Sequence, residues 1–198
     1  FCSDNGHAVY YRHEGRCSST RDLRTGIPYD GVETKFYSDR GGDVFDGNDG
    51  MAGLKFSNWE GGVRIPFLVR WPGVVEPGRV SDRLIATYDF LPTLADVAGI
   101  ECPPGKDGVS YMDELRGGSG RGRGAPVIFA SGKGPALVTD DGWKLKFVSM
   151  PRRNLYQLFH LRGDYREECN CVFEHRLRVE ELGRQLLLSC DGNFANGT

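Results

Sequence analysis

The sequence predicts an α/β fold: a sheet flanked by helices, followed by a small antiparallel sheet with a C-terminal helix. Three observations predict it. An apolar run from Val63 to Trp71 stops at Pro72-Gly73 and is followed by a helical apolar stripe over residues 89–98. Four short alternating runs, separated by turn residues, lie between 127 and 161. Residues 173–188 then place apolar side chains at helical spacing with charges between them.

Taken in order, Phe1 to Ser3 read as the end of a strand entering the turn Asp4-Asn5-Gly6. No initiator Met and no charged, then apolar, leader precedes it, so the chain is read as a piece of a longer one. Residues 7–53 form a polar, glycine-rich insertion broken by Thr25-Gly26-Ile27-Pro28 and Asp46-Gly47-Asn48-Asp49-Gly50, and loops of such length are usually functional or disordered. Glu60-Gly61-Gly62 is a turn leading into the strand 63–71. There Pro66 lacks a ladder donor and calls for an edge or a bulge. Asp89 is placed to cap the next helix, Pro92 falls in its first turn, and Leu91, Leu94, Ala95 and Ala98 form its stripe. Gly99 ends it at a left-handed cap.

Arg116 to Gly124 is a composition break, which divides the chain into 1–116, a linker at 117–124, and a smaller α+β subdomain at 125–198. The strands of that subdomain are expected at 127–130, 136–139, 143–149 and 155–161. Its helix should bury Phe173, Leu177, Leu182 and Leu186.

Composition excludes several classes of function. The 198 residues carry 25 Lys and Arg against 27 Asp and Glu, a net charge of −2, which argues against a nucleic-acid partner chosen by bulk electrostatics. No apolar run approaches the ~20 residues of a membrane-spanning helix. At 39% hydrophobic residues the chain can build a core, and 28 glycines with 10 prolines predict many turns. Six cysteines and the Asn196-Gly197-Thr198 sequon lean towards an oxidising compartment: secretory, lysosomal, extracellular or periplasmic.

The candidate chemistry starts at Asp4-Asn5-Gly6. A carboxylate and an amide oxygen on adjacent residues of a glycine-opened turn suit a hard cation, calcium or magnesium, with further ligands supplied from elsewhere. Lys55, between Leu54 and Phe56, is a candidate cation for an anionic ligand, and His7 adjoins the metal turn. Asp43 to Gly50 is acidic but fails the spacing of a calcium loop, and Gly132-Lys133-Gly134 lacks the frame of a phosphate loop.

In order, Ser3-Asp4-Asn5-Gly6, Gly53-x-Lys55, Glu60-Gly61-Gly62-Val63-Arg64-Ile65-Pro66, Trp71-Pro72-Gly73, Asp89-Phe90-Leu91-Pro92-Thr93-Leu94 and Asp107-Gly108-Val109-Ser110 succeed one another. This succession resembles the C-terminal portion of the formylglycine-dependent sulfatases, of arylsulfatase type. Asp141-Gly142-Trp143-Lys144-Leu145 and Leu155-Tyr156-Gln157-Leu158, with Glu167 and Asn170, resemble the family's small C-terminal subdomain. The resemblance implies the C-terminal part of an alkaline-phosphatase-like mixed sheet flanked by helices. It implies that Asp4 and Asn5 are metal ligands for calcium, with magnesium the alternative. Lys55 is then the catalytic lysine on the substrate sulfate, and His7 a substrate-facing residue. The substrate would be a sulfate ester, small molecule or glycan, held by cation and lysine as charge moves onto the leaving oxygen.

The family's nucleophile, a cysteine converted to formylglycine within Cys-x-Pro-x-Arg, is expected upstream and not in this chain. Cys17-Ser18-Ser19-Thr20-Arg21 has the Cys and Arg spacing, but Ser19 replaces the proline and the stretch follows the metal turn. The chain alone is therefore expected to be inactive. Two other readings stay open: a phosphate or phosphonate ester hydrolase of the same superfamily, and a non-catalytic truncated member acting as a binding module.

Overall fold

A computed structural model describes residues 1–7, 26, 35–41, 46–118 and 122–197. Most of the 7–53 insertion lies outside the described residues, including the stretch 17–21. The described helices are α1 (Ser38–Gly41), α2 (Glu60–Val63), α3 (Phe90–Ala98), α4 (Met112–Leu115) and α5 (Arg176–Ser189). The strands are β1 (Val127–Ser131), β2 (Gly134–Val138), β3 (Trp143–Met150) and β4 (Arg153–His160). The chain divides into two units: residue 1 with 68–127 and 139–141, and residues 2–67 with 128–138 and 142–198.

The larger unit contains the sheet, which runs in sequence order β1-β2-β3-β4. β3 pairs antiparallel with both neighbours, with Leu137 opposite Leu145 and Leu145 opposite Leu158. Because side chains alternate across a strand, this register puts Leu137, Leu145, Phe147, Tyr156 and Leu158 on one face. There Leu182 and Leu186 of α5 close a core with them, and the Phe194 ring stacks on Phe147. The helix thus buries Leu182 and Leu186, whereas Phe173 and Leu177 are exposed; the inward stripe is completed by Val179 and Gly183 instead. Burying two leucines and their strand partners contributes about 1.5–3 kcal/mol per side chain.

The other face of the same sheet carries Lys144, Lys146, Gln157 and Phe159, all buried. Phe159 meets the Trp59 ring edge-on at 5.5 Å and joins Tyr37 and Ala52 in a second core. An alternating Lys-Leu-Lys-Phe strand ordinarily reads as half solvated; here both of its faces are covered.

The expected strand 63–71 is largely irregular. Its front is the helical turn α2, and beyond it only Phe67 forms a bridge, antiparallel to Cys2. Pro66 presents its carbonyl to Ser3 N, as a residue without an N–H can. Among the described residues the regular sheet is confined to β1–β4.

In the smaller unit, α3 ends at Gly99 with φ +66, the left-handed cap read from sequence. Asp89 stands at the N-cap position, but its side chain does not cap the helix. It accepts instead from Ala86 N and Val109 N, each at 2.8 Å, and forms a two-pronged pair with Arg123 at 2.9 and 3.1 Å. Arg123 is in the glycine-rich tract 116–124, yet it is 5% exposed and also donates to the carbonyls of Asp107, Ala125 and Pro126. α3 buries Pro92, Thr93 and Ala95, while Leu91, Leu94 and Val97 are exposed. The apolar stripe expected from sequence therefore points largely away from this unit's own core.

Candidate active site

The site is assembled within the larger unit by three glycine-containing turns pressed together. Ser3 Oγ donates to Asn5 O at 2.8 Å, which shapes the Asp4-Asn5-Gly6 turn. Gly6 N donates to Gly62 O at 2.9 Å, Gly61 N to Ala52 O at 2.8 Å, and Lys55 N to His7 O at 2.9 Å. The Asp4-Asn5-Gly6 turn, the Lys55 turn and α2 are thereby stitched directly to one another.

Only glycine permits this approach at residues 6 and 61. A Cβ on Gly6 would overlap Gly61 O, and one on Gly61 would stand 2.5 Å from Gly53 O and 2.7 Å from Asn48 Nδ2. The Glu60-Gly61-Gly62 motif is thus a packing surface on which both candidate turns rest.

These bonds bring the backbone of Lys55 against that of His7, directly after the Asp4-Asn5-Gly6 turn. Neither the Asp4 carboxylate nor the Asn5 side-chain amide makes a hydrogen bond or ion pair with the described residues, and Asp4 is exposed. Two uncommitted hard oxygen donors on one turn fit part of a calcium or magnesium coordination sphere. Among the described residues no group of three or more His, Cys, Asp or Glu forms a complete one.

Lys55 is half-buried, and its ammonium faces the Phe56 ring at 5.2 Å. It has no carboxylate partner among the described residues. A half-buried cation without a carboxylate partner among the described residues is chemically able to take an anion.

Residues beyond those read from sequence hold this arrangement. Asn48 is buried and acts as a strut, accepting from His7 N at 3.2 Å and donating to Gly53 O at 2.8 Å. Beneath α2, the Lys144 ammonium, 0% exposed, lies 2.8 Å from Glu60 Oε1 and 3.0 Å from Glu167 Oε1. Glu167 Oε2 accepts from Glu60 N at 2.6 Å, satisfying the first N–H of the α2 turn. Burial pushes the Lys144 ammonium down, but the Glu167 and Glu60 carboxylates outweigh it and hold it above its ordinary value. Burial raises Glu167 against the pull of Lys144 and Lys146. Lys35 donates to Glu167 O and lies over the Trp59 and Phe159 rings, and burial lowers its ammonium.

The sequence signal for Asn48 was hidden in a glycine-rich acidic turn. For Lys144 and Glu167 the signal was their place in the motifs of the small subdomain, without any mark of burial.

Comparison with known proteins matches this architecture. Residues 54–123 match the family profile described as N-sulphoglucosamine sulphohydrolase, C-terminal. That span begins at Leu54 and includes Lys55 and the Glu60-Gly61-Gly62 motif. That segment is therefore similar to the C-terminal portion of the sulfatases.

Steryl-sulfatase of Mus musculus is 45% identical over 83 residues, which is 40% of this chain and 13% of that protein. Arylsulfatase of Hemicentrotus pulcherrimus is 39% identical over 85 residues, 42% of this chain and 14% of that one. A solved protein from a Bacteroides thetaiotaomicron locus for glycosaminoglycan metabolism superposes with TM-score 0.58 at 27% identity, over 68% of this chain and 30% of its own. Another, solved with its substrate D-glucosamine-2-N,6-O-disulfate, gives TM-score 0.61 at 22% identity, over 75% and 32%. The chain therefore spans about one seventh of these two curated relatives and about a third of the solved ones. The fold is the α/β fold of these neighbours, with a small four-stranded antiparallel sheet.

Two further findings bear on compartment and topology. Among the described residues Cys2, Cys102, Cys169, Cys171 and Cys190 are free thiols. No described helix is long and apolar enough to cross a membrane.

Proposed function

We propose that this chain supplies the sulfate-holding part of a sulfate-ester hydrolase. The observation that carries the reading is the Lys55 ammonium, without a carboxylate partner among the described residues, bonded through its backbone to the His7 carbonyl beside the Asp4-Asn5 turn. Asp4 and Asn5 are the residues that would hold a calcium or magnesium ion, which when bound neutralises charge on the sulfate oxygens. Lys55 donates to a sulfate oxygen, fixes the ester in place and stabilises the charge that develops as the S–O bond to the alcohol breaks. His7 borders the same position. Formylglycine, the expected nucleophile, comes from residues upstream of Phe1. The substrates are sulfate esters of small molecules or glycans, a class to which the sulfated sugar bound by the related solved protein belongs.

The test uses the full-length protein that contains this chain, assayed on 4-nitrophenyl sulfate with calcium. Lys55→Ala should lower kcat/KM by about a hundredfold or more. Asp4→Ala should weaken calcium binding, measured by titration, and activity should fall with it. The 198-residue chain alone should give no turnover. Full activity in Lys55→Ala, or turnover by the isolated chain, would overturn the assignment.

A further inference from the structure

From Ala52 to Gly62 every residue is buried except half-buried Lys55 and exposed Phe56. Phe56 is 68% exposed and adopts φ +75, the left-handed region in which a side chain is strained. An exposed phenyl ring in strained backbone gains nothing from folding by itself. Glycine at this position would be free of the strain, and a polar residue would be better solvated.

The surrounding turn over-determines the conformation. Ser57 N donates to Leu54 O at 3.1 Å and Ser57 Oγ donates to the same carbonyl at 2.7 Å. Gly62 closes on it from below, where a Cβ would fall 2.5 Å from Leu54 O. Held in this way, the ring lies within cation–π reach of the Lys55 ammonium, 5.2 Å from its centroid. An anion taken by Lys55 would have its ester group bordering the ring.

We propose that Phe56 is a specificity-determining residue: its ring is a platform for the ring face of the alcohol being released. This rests on the reading of Lys55 as the sulfate-holding residue. It favours sulfate esters whose alcohol carries a ring close to the ester oxygen, aryl or pyranose, over acyclic alkyl sulfates. Both ring types share the required chemistry, a flat or C–H-rich face that stacks on an aromatic side chain.

The experiment compares full-length wild type, Phe56→Gly and Phe56→Tyr on 4-nitrophenyl sulfate, glucosamine 6-sulfate and an acyclic alkyl sulfate. Phe56→Gly accepts the left-handed backbone, so its fold is kept. The ratio of kcat/KM for ring-bearing over acyclic ester should fall about fivefold to tenfold in Phe56→Gly, through KM, and be restored in Phe56→Tyr. The two ring substrates tell aryl from pyranose by which loses more.

An unchanged ratio with normal wild-type turnover overturns the platform alone. An equal loss on all three substrates also overturns it, since the ring is then covered by protein. If wild type hydrolyses none of the three, the proposed function and the platform fall together.

Discussion

In the 68–127 unit, Arg123 and Asp89 form a one-to-one buried pair, and every prong is met. The carboxylate also accepts from Ala86 N and Val109 N, and the guanidinium reaches three carbonyls. In the larger unit one ammonium, Lys144, serves two carboxylates, Glu60 and Glu167, beneath the turn on which the candidate site rests. The first arrangement is electrically closed and joins loops around α3. The second crowds two like charges around one fully buried cation, with Arg64 3.6 Å from Glu60 and Lys146 acting on Glu167. A buried pair offers stability only when its geometry satisfies both ions, so the lysine cluster is the more fragile of the two. It also sits under the candidate turns, with Glu60 opening the helix whose glycines pack against Gly6 and the 52–54 segment.

The largest effect should come from removing the buried Lys144 ammonium. Lys144→Met leaves Glu60 and Glu167 buried together with only the longer Arg64 contact at 3.6 Å and the field of Lys146 to offset them, and should cost about 3–5 kcal/mol by denaturant unfolding of the full-length protein. The calcium binding proposed for the Asp4-Asn5 turn should weaken in the same variant. Adding Glu167→Gln should recover part of the stability, because one buried charge is withdrawn while an oxygen remains for Glu60 N. A loss below ~1 kcal/mol in Lys144→Met would contradict the fragility of the lysine cluster.

Next in size is the closed pair. Asp89→Asn keeps one acceptor oxygen for a backbone N–H and leaves Arg123 its three carbonyls, so a loss of about 1–3 kcal/mol is expected. Should Asp89→Asn prove costlier than Lys144→Met, the ranking of the two clusters reverses.

The two clusters also differ in how far the sequence revealed them. The four strands of the small sheet were legible because alternation and turn residues are local signals, and they fall within a few residues of their expected places. Gly99 was legible for the same reason, since a left-handed cap is a local demand. Asp89 was legible as the residue before a helix, but its oxygens turn to Arg123, thirty-four residues on, and no local rule reports that. The stripe on α3 was read as inward because apolar residues at helical spacing usually are; Leu91 and Leu94 are exposed in the unit formed by this chain. The run 63–71 has strand composition but meets only a bridge at Phe67, and a strand needs neighbours that composition cannot supply. At the site, the motif order marked Lys55, His7, Asp4 and Asn5. It did not mark Asn48 or the buried role of Lys144, because burial of a polar side chain is set by partners distant in sequence.

The smallest expected effect separates the units by the direction of titration. Glu167 has its carboxyl raised above the ordinary value of 4.5 by burial, against the opposing pull of Lys144 and Lys146. The folded state therefore holds this proton to higher pH than the unfolded chain does, and the group's contribution to stability declines as pH rises from 4.5 through the raised value. Asp113 of the smaller unit is the reverse. Burial pushes it up, but the hydrogen bond from Arg83 and the backbone N–H groups prevail and hold it below 3.8. Its contribution is present above 3.8 and is lost as pH falls through the lowered value. Carbon-13 titration of the two side-chain carboxyls in the full-length protein should show Glu167 above and Asp113 below their ordinary values. Lys144→Met should drive Glu167 higher still and leave Asp113 in place. A shift of both carboxyls in the same direction would remove the electrostatic contrast between the two units.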